Sequence, residues 1–110
     1  MDWQSQIQEE FDKAHQARAH GNEGQARVCA RRAAGIAARE YFARQGQVVH
    51  TPGAYDVLNL LMQDQSLADD LRQAASYLTL RVNQDFKLPV DVDLIAVAMK
   101  LSNALLADKT

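Results

Sequence analysis

The sequence is poor in the residues that interrupt or cross-link regular structure. It contains two prolines and five glycines in 110 residues, which excludes collagen-like and low-complexity chains. The single cysteine, Cys29, has no second thiol with which to form an intramolecular disulfide or a zinc ribbon. We expect it to be a buried, inert thiol.

Long apolar runs and a strong net charge are also missing. No run approaches the roughly 20 apolar residues of a membrane span, and the first residues are acidic and polar rather than basic and apolar, as in a signal peptide. The net charge of −2 provides no general attraction to nucleic acid or to anionic membranes. A cytoplasmic protein without a membrane segment is expected.

The sequence shows none of the spacings that mark a catalytic or metal site. His15 and His20 are five residues apart, so they do not form the i, i+4 pair of a helical metal site, and His50 lies far from both. There is no glycine-rich phosphate loop and no nucleophile elbow. We predict no catalytic residue, no metal and no cofactor.

Apolar residues recur at spacings of three and four through most of the chain, which indicates amphipathic helices. The pattern predicts helices over residues 2–20, 23–45, 54–64, 67–85 and 91–107, and no strand. The predicted fold is therefore all-α, a single domain over residues 1–110 built as an up-and-down five-helix bundle. Hydrophobic residues make up 47% of the chain, enough for one core.

The second predicted helix is rich in alanine, which favours helix formation and leaves the helix thin. Because neighbours can approach a thin helix closely, we expect it to be central. Gly35 in its middle costs about 1 kcal/mol relative to alanine, which indicates contact with another backbone. Asn22 is the expected N-cap and Gly46 the expected C-terminal cap.

Three further helix starts are indicated by local signals. Thr51 followed by Pro52 is typical of an N-cap and a first helical position. Ser66 with Asp69 predicts a capping box for the fourth helix. Asp91, after the extended connection 86–90, is the expected cap of the last helix.

Charge is divided unevenly among the helices. Residues 21–52 carry five arginines and two glutamates, a net +3, whereas residues 1–20 sum to −2 and residues 53–85 to −3. Arginine suits phosphate and carboxylate recognition because its planar fork donates two parallel hydrogen bonds. We therefore take Arg27, Arg31 and Arg32 as candidate ligand-binding residues. The alternative is that these arginines pair with acids on the neighbouring helices.

The last predicted helix is apolar over an unusually wide arc. Leu94, Ala98, Leu101 and Leu105 form a core stripe, and further apolar residues lie beside it. A small bundle covers one stripe of a terminal helix, so the excess predicts a contact with another chain. The predicted partner is a second copy, as a two-fold homodimer. The alternative is that the second helix crosses the last one and the connection 86–90 folds over the remaining apolar surface. The candidate interface residues are Ile95, Met99 and Leu106.

Two segments resemble the HEPN superfamily, small helical bundles that occur beside nucleotidyltransferase domains and in toxin–antitoxin pairs. Residues 24–37 (GQARVCARRAAGIA), after the Gly21–Asn22 break, resemble the family's alanine-rich helix. Residues 67–82, with the proline-containing connection and the last apolar helix, resemble its fourth helix, its irregular connection and its last helix. The resemblance implies a helical bundle, a tendency to homodimerise, and a binding or partner role.

The sequence departs from the catalytic members of that family at one point. Their ribonuclease motif is an arginine followed, after four to six residues, by a histidine. Arg72 is present, but Tyr77, Leu78 and Thr79 occupy the histidine positions. From Arg81 those positions hold Phe86, Lys87 and Leu88. Because the general acid or base is missing, ribonuclease activity is not expected.

Three functions are compatible with these observations. The first is a non-catalytic HEPN-like interaction module that binds a nucleotide, RNA or a partner protein. The second is a substrate-binding subunit of a separate nucleotidyltransferase, as in a toxin–antitoxin-like pair. The third is a structural helical bundle without a ligand.

Overall fold

The computed structural model describes residues 2–51, 53–80 and 92–107, and these ranges contain helices and no strand. The predicted all-α class is confirmed. In chain order the helices are α1 (Trp3–Ala19), α2 (Glu23–Arg44), α3 (Ala54–Met62), α4 (Asp69–Leu78) and α5 (Leu94–Leu105). The predicted connection 86–90, together with Pro52, Arg81, Val82 and Asp91, lies outside the described residues.

Helix α2 is the centre of the bundle, as its composition predicts, and each of the other four helices packs on it. Its buried face consists largely of alanines that are fully shielded from solvent. At Gly35 the approach is closest, since an added Cβ would lie 2.6 Å from the Cβ of Ala54 and 2.9 Å from its Cα. The predicted backbone contact at Gly35 is confirmed, and the partner is the first turn of α3.

The directions of the helices follow from contacts at their ends. α1 and α2 are joined by the tight turn at Gly21, whose φ is +77°, and run antiparallel. α5 runs parallel to α2, because Asp93 bonds to Arg18 beside the start of α2 and the Leu106 carbonyl accepts from Arg44 at its end. α4 returns antiparallel to both and ends beside Arg31.

Both predicted caps of α2 are confirmed. The Asn22 side chain accepts from the Gln25 amide at 3.1 Å. Gly46 follows the helix with φ +77°, in the left-handed region that glycine enters without strain. The chain then leads through residues 47–51 to the start of α3.

Other helix boundaries differ from the prediction. α3 is preceded by Gly53 rather than Thr51, and α4 by Ala68, neither with a side-chain cap. The Ser66 hydroxyl instead donates to Asp64 at 2.6 Å, so the predicted capping box is wrong. In α5 the cap is Asp93, which accepts from the amides of Ile95 and Ala96.

α4 ends well before the predicted residue 85. Thr79 is its C-cap, and the Thr79 hydroxyl donates to the carbonyls of Ala75 and Ser76. The Leu78 carbonyl, which has no partner within a helix that ends there, accepts from Arg31 at 2.6 Å. These bonds satisfy carbonyl groups in the last turn of α4.

Candidate interaction surfaces

The three candidate ligand-binding arginines do not converge on one point. Arg31 is half-buried, and its Nε donates to the Leu78 carbonyl, so that this side chain holds α2 to the end of α4. Arg32 is exposed and points roughly 100° away around the helix axis. Arg27 shares the face of Arg31 but lies one turn from it, near Glu23. Arg31 therefore makes a contact between two helices, and Arg27 and Arg32 lie on different faces of α2.

The strongest charge cluster was not singled out by the sequence and centres on Arg18 of α1. Its guanidinium binds Glu23 at 2.6 and 3.1 Å and Asp93 at 2.9 Å. Hydrogen bonds from Arg18 lower the pKa of Glu23 below its ordinary value, and the charge of Arg27 adds to this effect. Burial raises the pKa of Asp93, but bonds from Arg18 and the Ala96 amide outweigh it, and the pKa falls. This cluster joins α1, α2 and α5 at one end of the bundle.

The residues compared with the HEPN ribonuclease motif in the sequence, Arg72 and residues 77–79, lie on α4 and at its end. Arg72 forms an ion pair with Asp69, one turn earlier on α4. Tyr77 is half-buried, Leu78 is in the core, and Thr79 caps the helix. None of these three residues is a histidine.

An apolar groove runs between α1 and α5. These two helices make few direct contacts with each other, and each packs mainly on α2. The groove encloses about 290 Å³. Its walls are apolar side chains, the amides of two glutamines and one asparagine, and the Ser102 hydroxyl, and no charged side chain is among them. We call it the α1–α5 groove, and it is lined by Trp3, Gln4, Ile7, Gln8, Phe11, Met99, Ser102, Asn103 and Leu106.

The candidate interface residues divide between this groove and the core. Met99 is 41% exposed and, with the half-buried Leu106, forms the α5 side of the groove. Ile95 is only 2% exposed and belongs to the core, because its position on α5 faces the bundle interior. The sequence did not indicate the α1 side, where the stripe of Trp3, Ile7 and Phe11 looks like ordinary core.

A second concavity, of about 390 Å³, lies on the other side of Trp3. It is formed by the start of α1, the second half of α2 and residues 47–49. Val48 on its rim is 74% exposed, the highest value among the large apolar residues in the described ranges. We call it the Val48 hollow, and it is lined by Trp3, Gln6, Ile36, Arg39, Glu40, Ala43, Gln47, Val48 and Val49.

The other groups of possible chemical interest are isolated. Cys29 is 1% exposed and accepts a weak bond from Gln25 at 3.5 Å. The three histidines are exposed, and within residues 2–51, 53–80 and 92–107 no three metal-ligating side chains come together. None of the described helices has both the length and the apolar character that a bilayer crossing requires.

Comparison of the chain with protein-family models, with curated proteins and with solved structures finds no match.

Proposed function

We propose that this chain is a non-catalytic protein-interaction module that forms a homodimer through the α1–α5 groove. The observation that carries the proposal is the set of apolar side chains in the groove, Trp3, Ile7 and Phe11 on α1 and Met99 and Leu106 on α5, together with the lack of charged residues in its lining. Interface cores are enriched in aromatic residues and methionine and depleted of charged ones. The groove has this composition, and the surface around it on α1 does not.

A second copy is the occupant that best fits the groove. In a two-fold dimer each patch faces its own copy, so any charged residue near the axis would lie close to the same charge. The uncharged lining of the α1–α5 groove avoids that repulsion. A stable interface buries at least about 1,000 Å² in total, which two such helix pairs stacked face to face can supply.

The proposal assigns no chemistry to the protein. The arginine of the ribonuclease motif is paired with Asp69, and α4 carries no histidine between Asp69 and Leu78. Membership of the HEPN superfamily is part of the proposal, supported by the alanine-rich α2 and by the helix order. A nucleotidyltransferase partner is proposed with it because the resemblance implies one.

Light scattering on the purified chain tests the dimer. We expect a mass of twice the 12.2 kDa of the chain at micromolar concentration. Met99→Asp places a charge in the groove and should yield the monomer with unchanged helix content by circular dichroism. Ala104→Asp is the matched control, since Ala104 is exposed on α5 and does not line the groove. A wild-type mass near 12.2 kDa, or a Met99→Asp protein that remains dimeric, would contradict the proposal.

A further inference from the structure

The Val48 hollow combines an apolar cavity with one uncompensated positive charge. We propose that it is a docking site for a peptide segment of another protein, one that presents an apolar side chain next to a carboxylate. This site is distinct from the dimer interface, and only Trp3 is common to both.

The apolar part of the hollow is held open by the fold. Gly46, with its φ of +77°, turns the chain sharply at the end of α2. Residues 47–49 then lie against the helix, and Val48 remains 74% exposed. With Ile36 and the Trp3 ring it forms walls for one inserted side chain. The volume of about 390 Å³ is within the range of small-ligand sites.

The charged part of the hollow depends on how its ionic residues are paired. Glu40 forms an ion pair with Arg44 at 3.4 Å. The Arg44 guanidinium also lies 5.4 Å from the centre of the Trp3 ring and donates to the Leu106 carbonyl, so it already has three partners. Arg39 has no ion pair or hydrogen bond with any residue in the described ranges. The charge available to a ligand is therefore that of Arg39.

A carboxylate fits this arrangement better than a phosphate. The planar fork of Arg39 can donate two parallel hydrogen bonds to a carboxylate, and one arginine balances one negative charge. A phosphate dianion would meet a single available guanidinium with the carboxylate of Glu40 beside it. The exposed amide of Gln47 at the rim can both donate to and accept from a peptide backbone.

A display library of random 12-residue peptides, selected on the immobilised full chain, tests this inference. Counter-selection on Val48→Ser removes peptides that bind elsewhere. We expect enriched sequences to place Asp or Glu within three residues of a large apolar residue. On Arg39→Glu the same selection should yield Lys or Arg in place of the acid.

One enriched peptide, made synthetically with a fluorescein label, then gives the affinities. Arg39→Gln and Val48→Ser should each weaken binding about tenfold, the loss expected for one charge-assisted contact or one buried apolar side chain. Arg32→Gln is the matched control, an exposed arginine of α2 that does not line the hollow, and should change the affinity less than about twofold. Circular dichroism checks the fold of each variant.

Three results would overturn the inference. They are no enrichment over the counter-selection, enriched peptides without an acidic residue, and binding that is equal in the wild type and in Arg39→Gln. The dimer proposal would survive each of them, because light scattering on Met99→Asp does not depend on this site.

Discussion

At the scale of single residues, Gly35 shows how the lack of a Cβ atom at one position sets the distance between two helices. It costs about 1 kcal/mol relative to alanine in a helix interior, yet an alanine Cβ there would lie 2.6 Å from the Cβ of Ala54. Both neighbouring atoms belong to the α3 backbone or are attached directly to it, so relief requires α3 to move. The sequence predicted a close contact here but could not name its partner.

Gly35→Ala should therefore lower the free energy of unfolding by about 1–3 kcal/mol, the usual cost of overpacking, despite the gain in helix propensity. Gly24→Ala in the first turn of the same helix is the control, because its added Cβ would meet only the Asn22 Oδ1, at 3.9 Å. That change should be neutral or stabilising by up to about 1 kcal/mol. Urea denaturation measures both, and equal effects of the two substitutions would disprove the close approach.

Arg18 is a second residue whose role depends on the folded chain. Its partners Glu23 and Asp93 are 5 and 75 residues away along the chain. The sequence pattern predicted Asp91 as the α5 cap, but Asp91 and Asp93 both suit that local pattern. Asp93 is the cap in the structure, and Arg18 is bound to it. Local sequence patterns do not show which distant residues the fold brings together.

The Arg18 cluster should make stability depend on pH. The pKa values of Glu23 and Asp93 are lowered in the folded chain. Both carboxylates therefore stabilise the fold when the pH is above their pKa values in the unfolded chain. This stability is lost as the pH falls through their pKa values in the folded chain. Arg18→Met should cost no more than about 1 kcal/mol at pH 7, since the pair is partly exposed. The two proteins should converge in acid. Arg32→Met is the control, and an Arg18→Met effect that is constant with pH in urea denaturation would refute this account.

At the scale of elements, prediction succeeded where one helix determines its own pattern and failed where neighbouring segments compete. The alanines of α2 indicated a thin central helix, and all the other helices pack on it. Ser66 looked like a cap, but the Asp64 carboxylate lies two residues away and binds the Ser66 hydroxyl and amide. Such local side-chain bonds compete with helix capping. Of the residues that line the α1–α5 groove, the sequence indicated Met99 and Leu106 on α5. It did not indicate the α1 side, because the exposure of the α1 stripe depends on the spacing of the two helices.

The thin face of α2 gives the element-scale prediction. Ala37 is fully buried, so Ala37→Leu has no space and should destabilise the protein by about 1–3 kcal/mol. Ala43→Leu adds the same atoms to an exposed position of the same helix and should change the free energy of unfolding by less than about 0.5 kcal/mol. Urea denaturation monitored by circular dichroism compares them. A tolerated Ala37→Leu would mean that α2 is not closely packed.

At the scale of the whole molecule, the two concavities lie away from the Arg18 cluster. The Arg18 cluster lies at the end of the bundle where α2 begins, whereas the α1–α5 groove and the Val48 hollow meet at Trp3 near the opposite end. The Arg18 cluster joins three helices at the first end, and the end at Trp3, which also holds the Glu40–Arg44 ion pair, offers two concavities to partners. This separation supports an interaction module with adjacent faces for its own copy and for a second protein.

The uncharged lining of the groove predicts a dimer that is insensitive to salt. Electrostatic contacts between exposed charges are screened as the ionic strength rises, but apolar burial is not. Between about 50 mM and about 500 mM NaCl the dimer Kd should change less than about threefold. Sedimentation velocity over a concentration series gives the Kd at each salt. A dimer that dissociates at the higher salt would indicate an interface made by charged residues outside the groove.

The emission of Trp3 tests the central claim most directly, because it is the single tryptophan of the chain and lies in the wall of the groove. In a dilution series through the micromolar range, dimerisation through the groove should bury the indole. The emission maximum should then shift to shorter wavelength as the concentration rises, with the midpoint found by sedimentation. Met99→Asp should keep the monomer spectrum at every concentration. A dimer that forms while the Trp3 emission stays unchanged would contradict the account, since the interface would then lie elsewhere.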